Sequence, residues 1–212
     1  MIVRTSNAMK PVFNKAKRRL HDLQRIRNRY RRFVPRQQTA APRIVRPVRK
    51  ILIYESEYEF ICRETLRMGA YRQETGGQLF GVETWKGTLL VTKVLGPGPD
   101  AQHSPAFFQQ DIPFLEREAD RIIRAGSLKQ VGEWHSHHRL GLSVPSGRDS
   151  HSMTSTLRLH KEMKLYLLVI AVCDDCSASA TPFMYNQDGY EICEWEIIPG
   201  ESPVCQLLKN HD

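Results

Sequence analysis

The sequence has few cysteines and no long apolar run. Five cysteines among 212 residues is a small and odd number, which does not suit a scaffold held by disulfide bonds. No apolar stretch resembles a secretory signal or a membrane span. We therefore expect a cytoplasmic protein with reduced thiols, because a chain of this length can bury a core without disulfide support.

Acidic residues are scarce only in the first fifty positions, and this imbalance indicates two parts. Residues 1–50 contain 16 lysines and arginines but one acid, Asp22, a formal charge of about +15. Residues 51–212 contain 15 basic and 22 acidic residues, about −7, and the two parts together give the net charge of +8. The charge boundary predicts a basic extension at 1–50, a main domain at 51–200 and a C-terminal tail at 201–212.

The basic extension has an apolar residue every three or four positions, which predicts one amphipathic helix of about 22 residues. The apolar stripe consists of Phe13, Ala16, Leu20, Leu23, Ile26, Tyr30 and Phe33. Pro35 ends the pattern, and Pro42 and Pro47 predict a stiff linker. For residues 10–34 we consider docking on the main domain or a protein partner, contact with an anionic membrane, and contact with nucleic-acid phosphates. Docking is favoured, and the negative main domain argues against nucleic-acid binding as the main role.

The main domain alternates predicted strands and helices, which indicates an α+β fold, a sandwich-like mixed sheet flanked by helices. Strands are predicted at 51–54, 78–84, 88–95, 130–135, 165–173, 181–186 and 190–197, and helices at about 56–71, 111–126 and 146–162. Ser56 and Glu59 predict a capping box for the first helix. Trp85-Lys86-Gly87 and Asp188-Gly189 predict the turns of two hairpins.

Two histidines and an aspartate have the spacing of a metal site. His135 and His137 lie two residues apart at the end of a predicted strand, so both imidazoles can face one point. Asp149, in the first turn of the next helix, can bring a carboxylate oxygen to the same point. Two histidines and one carboxylate suit Zn²⁺, and three protein ligands leave open the fourth position that a catalytic site needs.

Glu74 precedes a predicted strand and is the candidate general base. A glutamate beside the metal can take a proton from water and return it to a leaving amine. Gly76 and Gly77 remove side chains next to it, and the Ser146 hydroxyl can donate a hydrogen bond to a developing oxyanion. Taken singly, Glu74 is a solvated acid and Ser146-x-x-Asp149 a helix capping box; their joint occurrence favours a catalytic site.

The order Glu … His-x-His … Ser-x-x-Asp resembles the motif of the JAMM (MPN, Mov34/PAD-type) zinc metalloproteases. The matching residues are Glu74, His135, His137, Ser146 and Asp149. The resemblance covers roughly residues 51–198 and includes the glycines after Glu74 and the Gly-Pro-Gly-Pro segment at 96–99. It implies a cytidine-deaminase-like mixed sheet, Zn²⁺ on the two histidines and the aspartate, the glutamate as base, and the serine supporting the tetrahedral intermediate. The short form is similar to the prokaryotic JAB-like isopeptidase branch.

This resemblance implies a deubiquitinase-like hydrolase that cuts the (iso)peptide bond after the C-terminus of a ubiquitin-like modifier. Expected partners are that modifier, its conjugates, and activating or conjugating enzymes of the same operon. The alternatives are a peptidase that trims a sulfur-carrier protein or a small peptide, and a catalytically silent MPN scaffold. Phe107 and Phe108 are predicted either to line a groove for an extended modifier tail, beside Gly76 and Gly77, or to form a short core strand.

Two positions differ from the usual pattern of this family. His138 follows the second histidine where proline is usual, and the loop from His137 to Ser146 is one residue longer than usual. His138 is interpreted as a solvent-facing loop residue. Cys173 and Cys176 have the spacing of a zinc hook, but Cys173 ends an apolar strand and the spacings to the later cysteines are irregular, so a zinc site there is not favoured.

Overall fold

The computed structural model describes residues 50–84, 87–126, 128–138 and 142–209. The predicted basic helix and its linker lie outside the described residues. All described residues belong to one compact unit. None of the helices in these ranges combines the length and the apolar character that crossing a membrane requires.

A mixed sheet flanked by helices forms the fold, which confirms the predicted α+β architecture. The helices are α1 (Glu55–Gly69), α2 (Ile112–Gly126), α3 (Gly147–Leu159) and α4 (Pro203–Lys209). The strands are β1 (Lys50–Tyr54), β2 (Gly76–Glu83), β3 (Thr88–Leu95), β4 (Gln102–Ser104), β5 (Phe107–Gln109), β6 (Lys129–Ser136), β7 (Tyr166–Cys173), β8 (Ala178–Tyr185), β9 (Tyr190–Ile192) and β10 (Trp195–Ile198). Eight of them form one sheet in the order β10-β1-β3-β2-β6-β7-β8-β9, and β4 pairs with β5 in a separate hairpin.

Strand β7 is buried on both faces and separates two apolar clusters. Leu167 and Val169 pack in the cluster on the α1 face, and Leu168 and Ile170 pack with side chains of α3 on the other. This division follows from the alternation of side chains along a strand. His135 in β6 lies opposite Ile170 in the parallel β6–β7 pair. The sheet therefore presents His135 on the face covered by α3.

The capping box predicted at Ser56 and Glu59 is wrong. Helix α1 follows β1 without a loop, so Tyr54 takes the N-cap position and makes no side-chain cap. Ser56 lies inside the first turn, and its hydroxyl accepts a hydrogen bond from the Ser202 amide at 3.2 Å. A side-chain cap acts from the position just before the helix, which the direct strand-to-helix junction gives to a tyrosine.

The single strand predicted at 190–197 consists of two strands at opposite edges of the sheet. The Asp188-Gly189 turn joins β8 to β9 as predicted, and β9 pairs with β8. Strand β10 instead pairs in parallel with β1. Between them the Cys193 amide donates to the Pro182 carbonyl at 2.9 Å, the last such bond before the chain leaves this edge. The alternation of side chains along a strand cannot reveal this change of partner strand, because the alternation is the same whichever strand is the neighbour.

The segment interpreted as a C-terminal tail contains helix α4. Val204 is buried, and Arg121 of α2 donates to the Leu208 carbonyl at 2.7 Å. Pro203 is the first residue of the helix, a position that proline favours because its missing N–H has no partner there. Helix α4 is thus part of the packed domain.

Gly132 lies where β6 passes β7 too closely for any side chain. A Cβ at this position would lie 2.0 Å from the Leu167 carbonyl oxygen. We expect Gly132→Ala to lower the free energy of unfolding by about 3 kcal/mol in urea denaturation, because the strand pair must separate. The control is Gly147→Ala at the start of α3, where a Cβ meets nothing within 4 Å, with an expected change within about 0.5 kcal/mol. Equal effects of the two substitutions would contradict this account.

Candidate metal centre

The side chains of His135, His137 and Asp149 converge where β6 ends and α3 begins. The Nε2 atoms of the two histidines lie 3.0 Å apart. Asp149 Oδ1 lies 3.3 Å from His135 Nε2, and Oδ2 lies 3.4 Å from His137 Nε2. Within the described residues this is the one group of three or more His, Cys, Asp or Glu side chains placed to hold a metal ion. The longer loop before Ser146 therefore does not keep Asp149 from the histidines.

Backbone bonds of the sheet and the helix fix these three side chains. The His137 amide donates to the Ala171 carbonyl at 2.9 Å, which extends the β6–β7 ladder past the end of β6. Asp149 is in the first turn of α3, where its amide donates to Ser146 Oγ and its carboxylate accepts from the Ser146 amide at 2.7 Å. The predicted capping box at Ser146 is thus confirmed, and the same bonds hold the carboxylate towards the histidines.

The spacing of the donor atoms and the protonation of His137 suit a metal ion with tetrahedral coordination. Ligand atoms bound to zinc at tetrahedral angles lie about 3.3 Å from one another, close to the three separations above. His137 Nδ1 lies 3.0 Å from the Leu142 carbonyl oxygen. Because a carbonyl only accepts, Nδ1 carries the hydrogen and Nε2 keeps its lone pair for a metal. The donor set therefore fits a metal ion.

The charges of the cluster are strongly coupled. Burial alone would raise the pKa of the Asp149 carboxyl, but hydrogen bonds from His135 and His137 outweigh it and hold the pKa well below its usual range. Burial acts to lower the pKa of His137, yet its bonds to Asp149 and to the Leu142 carbonyl raise it above the ordinary value. In the metal-free protein these shifts favour an ion pair between the Asp149 carboxylate and the protonated His137 imidazole.

This ion pair predicts a pH window for the stability of the metal-free protein. The lowered pKa of Asp149 stabilises the fold above the unfolded carboxyl pKa of about 3.9, and the raised pKa of His137 does so below the unfolded imidazole pKa of about 6.5. The stabilisation from Asp149 is lost as the pH falls towards the pKa of its carboxyl in the folded protein. The stabilisation from His137 is lost as the pH rises past the pKa of its imidazole in the folded protein. Asp149→Asn should therefore lower the Tm of chelator-treated protein by about 3 °C more at about pH 5.5 than at about pH 8.5.

The control for this measurement is Asp175→Asn, which neutralises an exposed carboxylate outside the cluster. Its Tm difference from the wild type should be the same at both pH values. A Tm difference for Asp149→Asn that does not depend on pH would contradict the assigned coupling.

Glu74 lies next to the metal centre, two residues before β2. Burial raises the pKa of its carboxyl, the charges of His135 and His137 oppose the rise, and Asp149 adds to it. The following residue is tied to β6, because the Thr75 amide donates to Ser136 Oγ at 2.9 Å and the Ser136 amide donates to the Thr75 carbonyl at 2.8 Å. A half-buried carboxyl with a raised pKa beside a metal centre suits proton transfer.

The two glycines after Glu74 face opposite sides of the sheet. Gly76 pairs with His135, and a Cβ on it would lie 2.9 Å both from His135 Cβ and from Phe108 Cε1. Gly77 instead faces the core on the α1 side, where a Cβ would lie 1.8 Å from the Leu95 carbonyl oxygen. The neighbouring strand therefore leaves no room for a side chain at Gly77, whereas contact of Gly77 with a substrate stays a prediction.

Phe107 and Phe108 form the short strand β5, which pairs with β4. A short strand was one of the two predicted alternatives, but it belongs to a separate hairpin and not to the core of the sheet. The Phe108 ring lies over Gly76 and 5.5 Å from the His103 ring, centroid to centroid. Contact of these phenylalanines with a substrate stays a prediction.

His138 is half-buried, so its interpretation as a solvent-facing residue is wrong. Its Nδ1 lies 3.4 Å from Cys173 Sγ, and a Cβ added to Gly69 would lie 3.1 Å from its Cε1. Burial and the neighbouring His137 lower the pKa of His138. The ring packs against the end of α1, a contact between distant parts of the chain that the local sequence does not show.

Sequence reasoning missed three groups beside the centre. His103 Nδ1 contacts the Glu74 carbonyl, the Leu142 carbonyl orients His137, and the charge of Arg148 acts to lower the pKa of Glu74. Arg148 lies inside the Ser146–Asp149 motif and its position offered a signal. The other two offered none, because one is an isolated histidine and the other acts through its backbone.

Two comparisons with known proteins bear on this centre and on the fold. The chain is 25% identical over 125 residues to a protein described as "Probable metalloprotease y4qB" of Sinorhizobium fredii (strain NBRC 101917 / NGR234), spanning 58% of this chain and 75% of that one. The chain is thus similar to a protein that is named a probable metalloprotease. Its fold is similar to the solution structure of protein DSY2949 from Desulfitobacterium hafniense, with a TM-score of 0.51 and 21% identity over 71% of this chain and 94% of the other. No family model matches.

Proposed function

We propose that the protein is a zinc-dependent metallopeptidase of the JAMM type that hydrolyses an amide bond. The observation that carries this proposal is the convergence of two imidazole Nε2 atoms and the Asp149 carboxylate within 4.8 Å, beside the half-buried Glu74. The similarity to a protein named a probable metalloprotease supports it. His135, His137 and Asp149 would hold the ion. Zinc bound there would acidify a water molecule and polarise the carbonyl of the scissile bond.

Glu74 accepts the proton of the attacking water and returns it to the leaving amine. Burial raises the pKa of its carboxyl, which favours the protonated form that gives the proton back to the leaving amine. Ser146 supports the oxyanion: its Oγ accepts a hydrogen bond from the Asp149 amide at 3.3 Å, and no group of the described residues accepts its hydroxyl hydrogen, which can therefore donate. Ser146 is exposed, so a substrate can approach it.

We propose further that the substrate is the C-terminal tail of a ubiquitin-like modifier, cut from a lysine or from its own precursor. Gly76 and Phe108 lie beside His135 and leave no room for a further side chain between them. This lack of space beside His135 suits an extended substrate tail that ends in small residues. The modifier, its conjugates, and its activating or conjugating enzymes are the proposed partners.

The test uses the zinc-loaded full chain and three probes. These are a ubiquitin-like protein joined through its C-terminal glycine to a lysine side chain of a peptide, the same protein in linear fusion, and a peptide library from a digested proteome. We expect cleavage directly after the modifier, detected by mass spectrometry, and slower cleavage when the tail ends in a bulky residue. Cleavage of library peptides alone would instead indicate a general peptidase, and no cleavage by zinc-loaded protein would indicate a silent scaffold.

A further inference from the structure

We infer that His103 is a positioning residue for Glu74 and acts through the β4–β5 hairpin. The inference rests on the proposed function, in which Glu74 is the proton acceptor. The Glu74 amide donates to the Ser104 carbonyl at 2.9 Å, and the Glu74 carbonyl lies 2.8 Å from His103 Nδ1. Two adjacent residues of β4 thus hold both backbone polar groups of the proposed base.

The chemistry of this contact defines the state of the histidine. A carbonyl oxygen can only accept, so His103 Nδ1 must carry the hydrogen and donate it. His103 is half-buried, away from the three residues of the metal centre. Its role is therefore to bind the backbone of the base and not to hold the ion.

The hairpin also restricts the movement of the His103 ring. His103 pairs with Phe108 across β4 and β5, and the two rings lie 5.5 Å apart at an angle of 32°. Phe108 in turn lies against Gly76, where a Cβ would come within 2.9 Å of its ring. A continuous set of contacts therefore runs from Gly76 through Phe108 and His103 back to Glu74.

The base is held from a second direction, and the two supports are separable. Thr75 is bonded to Ser136 of β6 through both its amide and its carbonyl. This second support ties the base to the strand that carries His135, whereas His103 ties it to the hairpin. Loss of the His103 bond should therefore shift the carboxyl of Glu74 while the metal ligands stay in place. Small misplacements of a catalytic group lower kcat strongly.

Two substitutions separate the donor from the ring. His103→Phe keeps an aromatic ring beside Phe108 but removes the donor, whereas His103→Asn places an amide nitrogen where Nδ1 lies and removes the rest of the ring. For His103→Phe we expect kcat on the cleaved fusion to fall about tenfold to a hundredfold, with KM and zinc content near wild type. Hydrogen–deuterium exchange at the Glu74 amide should rise about tenfold, because its bond to Ser104 is weakened. His103→Asn should return kcat and exchange to within about threefold of wild type.

Several outcomes would overturn the inference. These are wild-type kcat and exchange in His103→Phe, equal impairment in both variants, and loss of zinc from His103→Phe. Glu74→Gln separates this failure from failure of the proposed function. If Glu74→Gln is inactive and His103→Phe behaves as wild type, only the role of His103 is wrong. If Glu74→Gln is fully active, the proposed base is wrong, whatever the exchange measurement shows.

Discussion

Glu74→Gln is expected to abolish hydrolysis and to leave metal binding intact. Glutamine keeps the size of the side chain but cannot accept a proton from water at neutral pH. We expect kcat to fall about 10²-fold to 10⁴-fold, the usual contribution of general acid–base catalysis. Zinc content by elemental analysis should stay at one ion per chain, because Glu74 is outside the ligand group of His135, His137 and Asp149.

The matched control is Glu83→Gln, which changes an exposed glutamate at the far end of β2, the strand that follows Glu74. Its kcat should stay within about twofold of wild type, as for a surface change away from the site. If Glu74→Gln kept more than about a tenth of wild-type kcat, proton transfer would have to run through another group.

His135→Ala and Asp149→Ala are expected to remove the metal and with it the activity. Each deletes one of three donors, and the remaining two cannot complete a zinc site of the catalytic type. Stoichiometric zinc should be lost in both. Wild-type protein should lose about 4 kcal/mol of stability on treatment with EDTA if the free ion stood at about a thousand times its Kd, whereas the variants should show almost no change.

His138→Ala is the control for the ligand variants, since it removes the histidine next to the metal centre that packs on Cys173 instead. It should keep one zinc per chain. Zinc bound with wild-type affinity by His135→Ala or by Asp149→Ala would disprove the ligand assignment. If His138→Ala alone lost its zinc, His138 would have to be the third ligand.

Local pattern was sufficient for most elements of the fold. Alternation and apolar runs placed β3 and β7, the turn residues Asp188-Gly189 joined β8 to β9, and the Ser146 capping box placed the start of α3. These features depend on residues within a few positions of one another, whose preferences hold in any fold. The motif also named three residues that the structure brings together where β6 ends and α3 begins.

Other features depend on neighbours that are distant along the chain. Alternation assigned 190–197 to one strand, but partner strands at opposite edges of the sheet divide it in two. Gly77 is a glycine because of the Leu95 carbonyl, and His138 is half-buried because of Cys173. His103 stands in the sequence without a motif, and the β4–β5 hairpin brings it to the backbone carbonyl of Glu74, the proposed base. Short-range preferences thus determined most of the helices and strands and the candidate site residues. Long-range packing determined which face, partner and support each residue has, because such contacts exist only after the chain has folded.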